Sequence, residues 1–303
     1  MTPNIVPDPT PQTGGTEVPV AFPAEVPSLA LTIREIECKS ILNRSGLADY
    51  ALNPYVGCEH GCRYCYARFM MRYTDHREPW GHFVDVKMNA PRVLMKQVKR
   101  SRVGRVFVSS VCDGWQPLEQ NYGITRACLE ILLTCGFPVT VLTKSALASR
   151  DLDLFSGRGG VELGATLTTL DEGLRRTFEP RSSPAQERLM LLKQARKKGI
   201  TTYAFLGPIM PYLFDTGENL GGLIAAFRDI GVEWIYLDLL NPRPGVWASL
   251  YPVLRDDYPQ LVPRYKAILF NPRERGQYGT RLRERIEKLG RRYGLEGKLH
   301  FLW

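Results

Sequence analysis

The sequence predicts an α/β protein whose body is an open, partial (β/α)6 barrel, with a proline-rich leader before it and a basic helical extension behind it. Three observations carry this expectation. Short runs rich in β-branched residues recur: "RVFVSSV" (105–111), "PVTVLT" (138–143), "VELGATL" (161–167), "TTYAFLG" (201–207) and "EWIYLDLL" (233–240). Segments of helical period lie between them, and strands that alternate with helices give a parallel sheet with right-handed crossovers. With "YALNPYVG" (50–57) and its helix the count reaches six units, short of the eight that close a barrel. The chain then divides into a leader over 1–45, the barrel over 46–245 and the extension over 246–303.

Taken in order, residues 1 to 30 carry seven prolines together with Gly14 and Gly15. No period survives there, so an extended stretch is expected, with packing starting near "LTIREIECKSIL" (31–42). "YGITRACLEILLTCG" (122–136) sets Ile124, Cys128, Ile131 and Leu132 on one face and stops on Gly136. "SPAQERLMLLKQARKKG" (183–199) starts with Ser183 before Pro184 and ends in basic residues and Gly199, as helices do. "GENLGGLIAAFRDIG" (217–231) has the same form. In the last stretch one helix is expected over about 279 to 293, with Leu282, Ile286, Leu289 and Tyr293 as its apolar stripe.

Composition is that of an ordinary globular protein, 44% hydrophobic and 23% charged. No run approaches the roughly 18 apolar residues of a membrane span, and no secretory signal opens the chain, so a cytoplasmic location is expected; a monomer is expected as well. Lys+Arg 40 against Asp+Glu 31 leaves +9. Such an excess serves either a solvated surface or a phosphate-bearing partner. It is concentrated in residues 87–105, with seven Lys+Arg and no acid, and in 271–303, with nine against four.

Of seven cysteines, four are scattered and read as small buried hydrophobes. The other three, Cys58, Cys62 and Cys65, fall in "NPYVGCEHGCRYCYARFM" (53–70), spaced C-x3-C-x2-C. A structural zinc site normally has four ligands, and the second pair is missing. A redox dithiol would use Cys62 and Cys65 and leave Cys58 without a role. Iron–sulfur clusters take thiolates at such spacings, and three ligands on a four-iron cluster leave one iron open for a substrate or second cofactor.

This motif resembles the radical S-adenosylmethionine superfamily, and "NPYVGCEHGCRYCYAR" is similar to its spore photoproduct lyase-like branch. The downstream blocks "DGWQPLEQNYGITRACLEIL", "VLTKSALASRDLDLF", "ATLTTLDEGLRRTFEPRSSPAQERL" and "FLGPIMPYLFD" match that branch in order. The resemblance implies a partial barrel of the radical SAM type, a [4Fe-4S] cluster on Cys58, Cys62 and Cys65, and S-adenosylmethionine (SAM) on its open iron. One electron would cleave SAM to a 5'-deoxyadenosyl radical that abstracts a substrate hydrogen atom, with the protein supplying position. It implies Tyr64 on the adenine side of SAM, Asp113 toward its amino group, Lys144 toward its carboxylate and Thr166 toward its ribose or carboxylate. These last three lie near C-terminal strand ends, where barrel enzymes build their sites. The plain alternatives are a turn cap for Asp113, an exposed loop lysine and an ordinary strand threonine. Glu179 and Arg181, in "EPR", read first as a structural ion pair, and Pro208 and Pro211 as setting the loop after the fifth strand.

The chain departs from spore photoproduct lyase itself. Cys112-Asp113-Gly114-Trp115 stands where relatives read T-D-P-Y, and the C-terminal substrate hairpin has no counterpart. Cys112 is thereby a candidate hydrogen-atom donor, with a buried packing residue as the plain reading. Expected partners are a nucleic acid substrate and an external electron donor such as flavodoxin or ferredoxin. A peptide or small-metabolite substrate is the alternative, and a non-enzymatic iron–sulfur or zinc protein that binds nucleic acid is the reading from another class.

Overall fold

The computed structural model describes residues 30–303, and the proline-rich stretch before residue 30 lies outside the described residues. Strands β1 (Thr32–Ile36), β2 (Leu42–Arg44), β3 (Tyr50–Leu52), β4 (Tyr55–Gly57) and β5 (Phe83–Lys87) come first. They are followed by β6 (Val106–Val108), β7 (Val139–Thr143), β8 (Val161–Thr166), β9 (Thr201–Ile209), β10 (Trp234–Leu239) and β11 (Leu299–Phe301). The larger helices are α1 (Ala90–Val98), α2 (Ile124–Thr134), α3 (Glu172–Phe178), α4 (Ala185–Lys197) and α5 (Gly217–Ile230). Helices α6 (Val246–Asp257), α7 (Val262–Phe270) and α8 (Pro272–Tyr293) come last.

Strands β3, β6, β7, β8, β9 and β10 pair in that order, all parallel. This is the expected six-stranded partial barrel. Two edges extend it: β2 pairs antiparallel with β3, and β11 pairs parallel with β10. The stretch read as one strand over 50–57 is two. The ladder stops at Asn53–Pro54 because proline has no N–H to give it. Tyr50–Leu52 stays in the barrel, while Tyr55–Gly57 turns away to pair with β5 in a small sheet that β1 completes. Residues 32–44 thus supply one strand to each sheet, β1 to the small one and β2 to the edge of the barrel sheet.

Sequence alternation decides which side chains face the helices. Val161, Leu163 and Ala165 of β8 and Ile235, Leu237 and Leu239 of β10 lie in the main core. Each fully buried aliphatic side chain there contributes about 1.5–3 kcal/mol. The intervening residues face the barrel interior. Its lower half is filled: Tyr203 lies across Gly164, where a Cβ would come within 2.2 Å of the ring, and its hydroxyl donates to the Val141 carbonyl at 2.9 Å. Above it, Leu142, Phe205 and Asp238 are only partly buried.

Helix α8 starts seven residues earlier than its apolar stripe suggests. Asn271 caps it, its side chain accepting from the Arg273 and Glu274 N–H groups, and Pro272 occupies the first turn. Gly279, inside the helix, leaves room for Trp303, whose ring would lie 2.9 Å from a Cβ there. No helix among the described residues is long and apolar enough to cross a membrane.

Candidate active site

The three-cysteine loop follows β4 and is held on every side by hydrogen bonds from elsewhere in the chain. The Glu59 N–H donates to Gln116 Oε1 at 2.8 Å, and the Glu59 carboxylate accepts from the Leu118 N–H. Arg181 donates to the Glu59 carbonyl at 3.1 Å and to the Gly81 carbonyl at 2.5 Å. Arg68 donates to the Cys62 carbonyl at 3.1 Å, and the Arg63 N–H to the Phe178 carbonyl at 2.9 Å. The backbone at Gly81 closes over the loop. It has φ +100°, and a Cβ there would sit 2.7 Å from Gly61 Cα.

Tyr64 is buried and its hydroxyl donates to Glu179, which is fully buried. Glu179 also accepts from Thr168 Oγ1 at 2.8 Å and Ser182 Oγ at 3.1 Å, and it is ion-paired with Arg188. Burial pushes the Glu179 carboxyl up, but the charges of Arg188 and Lys144 and the hydrogen bonds from Arg188 and Tyr64 outweigh it and hold it down at about 2. Here the sequence reading is corrected. The partner of Glu179 is Arg188, one helix on, and not Arg181, which is occupied with loop carbonyls. Arg188 also donates to the Thr166 carbonyl at 2.9 Å, so the same guanidinium joins the end of β8 to the loop.

Asp113 lies beyond β6 and uses both oxygens within the protein. Oδ1 accepts from the Trp115 N–H at 2.9 Å and from Thr143 Oγ1 at 2.8 Å, and Oδ2 accepts from the Lys144 N–H at 2.8 Å. Oδ2 also lies 3.4 Å from His60 Nδ1. Asp113 therefore locks the ends of β6 and β7 to the cysteine loop. Lys144, directly after β7, places Nζ 5.8 Å from the centre of the Tyr64 ring. No carboxylate oxygen among the described residues lies within ion-pair range of that ammonium, which leaves it for an anionic group. Thr166 ends β8 on the interior side. Cys112 lies on the other side of the loop, its thiol 3.7 Å from Asn53 Oδ1, and burial pushes it up to about 12.

The loop thiols fit a cluster better than a single ion. Among the described residues no three His, Cys, Asp or Glu side chains converge closely enough to hold one metal ion. A four-iron cluster takes each thiolate on a different iron and needs no such convergence. Burial pushes all three thiols up, Cys62 to about 12, so thiolate there requires a metal partner. The Trp80 indole packs with Cys58 and Cys65 and directs its buried N–H to the Cys65 thiol, and the Arg63 and Arg68 Nε groups of the loop are buried without a partner. An indole N–H at a thiol sulfur suits a thiolate-ligated centre.

The residues that fix the loop, Gln116, Gly81, Trp80 and Arg188, carry no chemistry of their own in the sequence. Gln116 and Arg188 fall in blocks that the resemblance matched, which was the signal available for them.

The sequence profile of the radical SAM superfamily matches residues 52–220. An uncharacterized protein of Methanocaldococcus jannaschii is 35% identical over 233 residues, 76% of this chain and 85% of its own length. An uncharacterized protein of Mycobacterium tuberculosis is 33% identical over 284 residues, 88% of this chain and 82% of its own length. Among solved structures, spore photoproduct lyase complexed with a dinucleoside spore photoproduct has the same fold. The TM-score is 0.66 at 12% identity, over 90% of this chain and 82% of that one.

Proposed function

The chain belongs to the radical SAM superfamily of enzymes, and from that premise we propose that Cys58, Cys62 and Cys65 hold a [4Fe-4S] cluster, that SAM binds beside it, and that the substrate is a nucleic acid. The observation that carries the cofactor reading is the unpaired ammonium of Lys144 over the buried ring of Tyr64, beside a rigidly held three-thiol loop. When bound, the cluster and SAM supply a one-electron cleavage that yields a hydrogen-abstracting carbon radical. The chain's own work is positioning. Lys144 takes the SAM carboxylate and Thr166 a hydroxyl of SAM. Asp113 serves by holding Lys144 and His60 in place, since its oxygens are already engaged. The Glu179–Arg188 pair fixes the Tyr64 ring. The reductant is an external one-electron donor of the flavodoxin or ferredoxin type. Unpaired cysteines throughout the described residues fit a reducing compartment such as the cytoplasm.

The nucleic acid reading rests on the charge of +9 and on the dinucleoside bound by spore photoproduct lyase. The basic run over 87–105 supports it less than its composition suggested. Its arginines from Arg100 to Arg105 precede β6, and so lie at the strand end away from the cysteine loop.

The test is anaerobic reconstitution with iron and sulfide, then dithionite and SAM. We expect 5'-deoxyadenosine from the wild type and none from Cys65→Ala. Equal yields from both would overturn the cluster assignment. Added DNA or RNA is expected to raise the yield; a peptide or metabolite fraction doing so in its place would overturn the substrate reading.

A further inference from the structure

Tyr66 follows Cys65 directly and opens a 3-10 turn over Tyr66–Tyr73. Its ring stacks on Phe69, with centroids 6.5 Å apart and planes at 21°. Arg243, from the loop between β10 and α6, lies over both rings, 5.8 and 5.3 Å from their centres. Arg72 lies over Phe69 and Tyr73, at 5.5 and 4.9 Å. Three rings and two guanidiniums thus run outward from the cysteine loop as one strip. Its inner end is tied down, because the Tyr66 hydroxyl donates to the Ser110 carbonyl just beyond β6. Its outer end is open, with Tyr73 67% exposed. Arg72 and Arg243 are exposed too, and neither has a carboxylate within ion-pair range among the described residues.

Partly exposed rings beside unpaired cations are matched by a ligand that offers flat π faces and anionic groups along one chain. A single-stranded nucleic acid offers both. Its bases stack on aromatic and guanidinium planes, and its phosphates meet the arginine charges. A duplex keeps its bases stacked on each other and presents no free face. We propose that this strip is a single-strand platform. Bases stack along Phe69 and Tyr73, and phosphates lie on Arg72 and Arg243. One nucleotide is thereby led past Tyr66 to the barrel mouth. The inference rests on the nucleic acid reading above and adds to it the strandedness of the substrate and its route in.

The experiment measures fluorescence anisotropy of the full-length protein with a labelled thymidine oligonucleotide of about 12 nucleotides, within the site sizes of aromatic grooves. The duplex of the same sequence is measured beside it, each at two salt concentrations. We expect the single strand to bind more tightly than the duplex. Tyr73→Leu, at an exposed position, should weaken single-strand binding about 5-fold or more, in line with one lost stacking contact, and leave duplex binding unchanged. Arg72→Gln with Arg243→Gln should flatten the salt dependence of single-strand binding. If the wild type prefers the duplex, or if Tyr73→Leu and Phe69→Leu bind the strand as tightly as wild type, the platform is refuted while the nucleic acid reading stands. If the wild type binds neither form at low salt, the nucleic acid reading falls and the platform with it.

Discussion

The hydroxyl of Tyr64, one residue before the third cysteine of the loop, donates to the fully buried carboxylate of Glu179, which Arg188 neutralises from helix α4. An ion pair of this kind adds little when intact but is expensive to break, because one charge stays buried without a partner. Arg188→Ala should therefore destabilise the protein by roughly 3–5 kcal/mol. That lowers the melting temperature by roughly 10 °C at this size. Calorimetry of the wild type and variant checks it, and an unchanged melting temperature would remove the pair from the account of the loop.

Acid should unfold the protein partly through Glu179. Its folded value of about 2 lies below the ordinary 4.5, so the unfolded chain binds the extra proton between those values. The contribution is complete above about pH 4.5 and is lost as the pH falls toward 2. Urea midpoints taken from pH 6 to pH 3 should fall more steeply for wild type than for Glu179→Gln.

Asp238 should behave in the opposite sense. Burial raises it to about 6 from an ordinary 3.8, against weaker lowering by a backbone hydrogen bond and Arg275. Here the folded chain binds the extra proton. The penalty is absent below about pH 4 and complete above about pH 6, so stability falls as the pH rises through that window. Asp238→Asn should accordingly stabilise the protein at pH 7.5, on the order of 1–2 kcal/mol after allowance for partial exposure, and not at pH 4. Equal effects at both pH values would contradict this.

Gly81→Ala tests the close approach of the two glycine backbones. A methyl group 2.7 Å from Gly61 Cα, on a backbone at φ +100°, requires the loop to move. The expected outcome is a folded protein that retains less iron per chain after reconstitution than wild type. Full iron content would show that the loop tolerates displacement.

Cys112→Ala separates hydrogen-atom donation from packing. The thiol sits at Asn53, close to the loop but outside its ligand set. The variant should keep its iron and still release 5'-deoxyadenosine, with the products formed from the proposed nucleic acid substrate changed. Product analysis by mass spectrometry decides, and a wild-type product distribution would leave Cys112 as packing alone.

The parts of this molecule that local pattern encodes were legible in the sequence. Six strand–helix units and the C-x3-C-x2-C loop could be read directly, because alternation and spacing are short-range properties. Long-range choices were not. Nothing local distinguishes Arg181 from Arg188 as the partner of Glu179, since Arg188 reaches it only from the packed helix α4 while Arg181 turns to the Glu59 and Gly81 carbonyls. The break at Asn53–Pro54 was visible as a proline, but its effect, sending Tyr55–Gly57 to a second sheet, depends on β5 some thirty residues later. The basic run before β6 could not be assigned to one end of the barrel until the strand's direction was fixed. Tyr66 and Phe69 stand beside the third cysteine in the sequence, but the strip is not legible there because Arg243, which lies over both rings, comes from the far side of the barrel sequence.

The way the loop is anchored also bears on the order in which the protein assembles. From β6 to β10 every barrel strand pairs with the strand next in sequence, so those contacts close short stretches of chain. Two anchors of the cysteine loop span far more: 115 residues from Tyr64 to Glu179 and 122 from Arg181 to Glu59. Contacts that close long stretches of chain form late, because their entropic cost falls before their reward. This separation predicts that the barrel forms first and that these two anchors close last. A cluster of the kind proposed above would then be received by the segment that is fixed last.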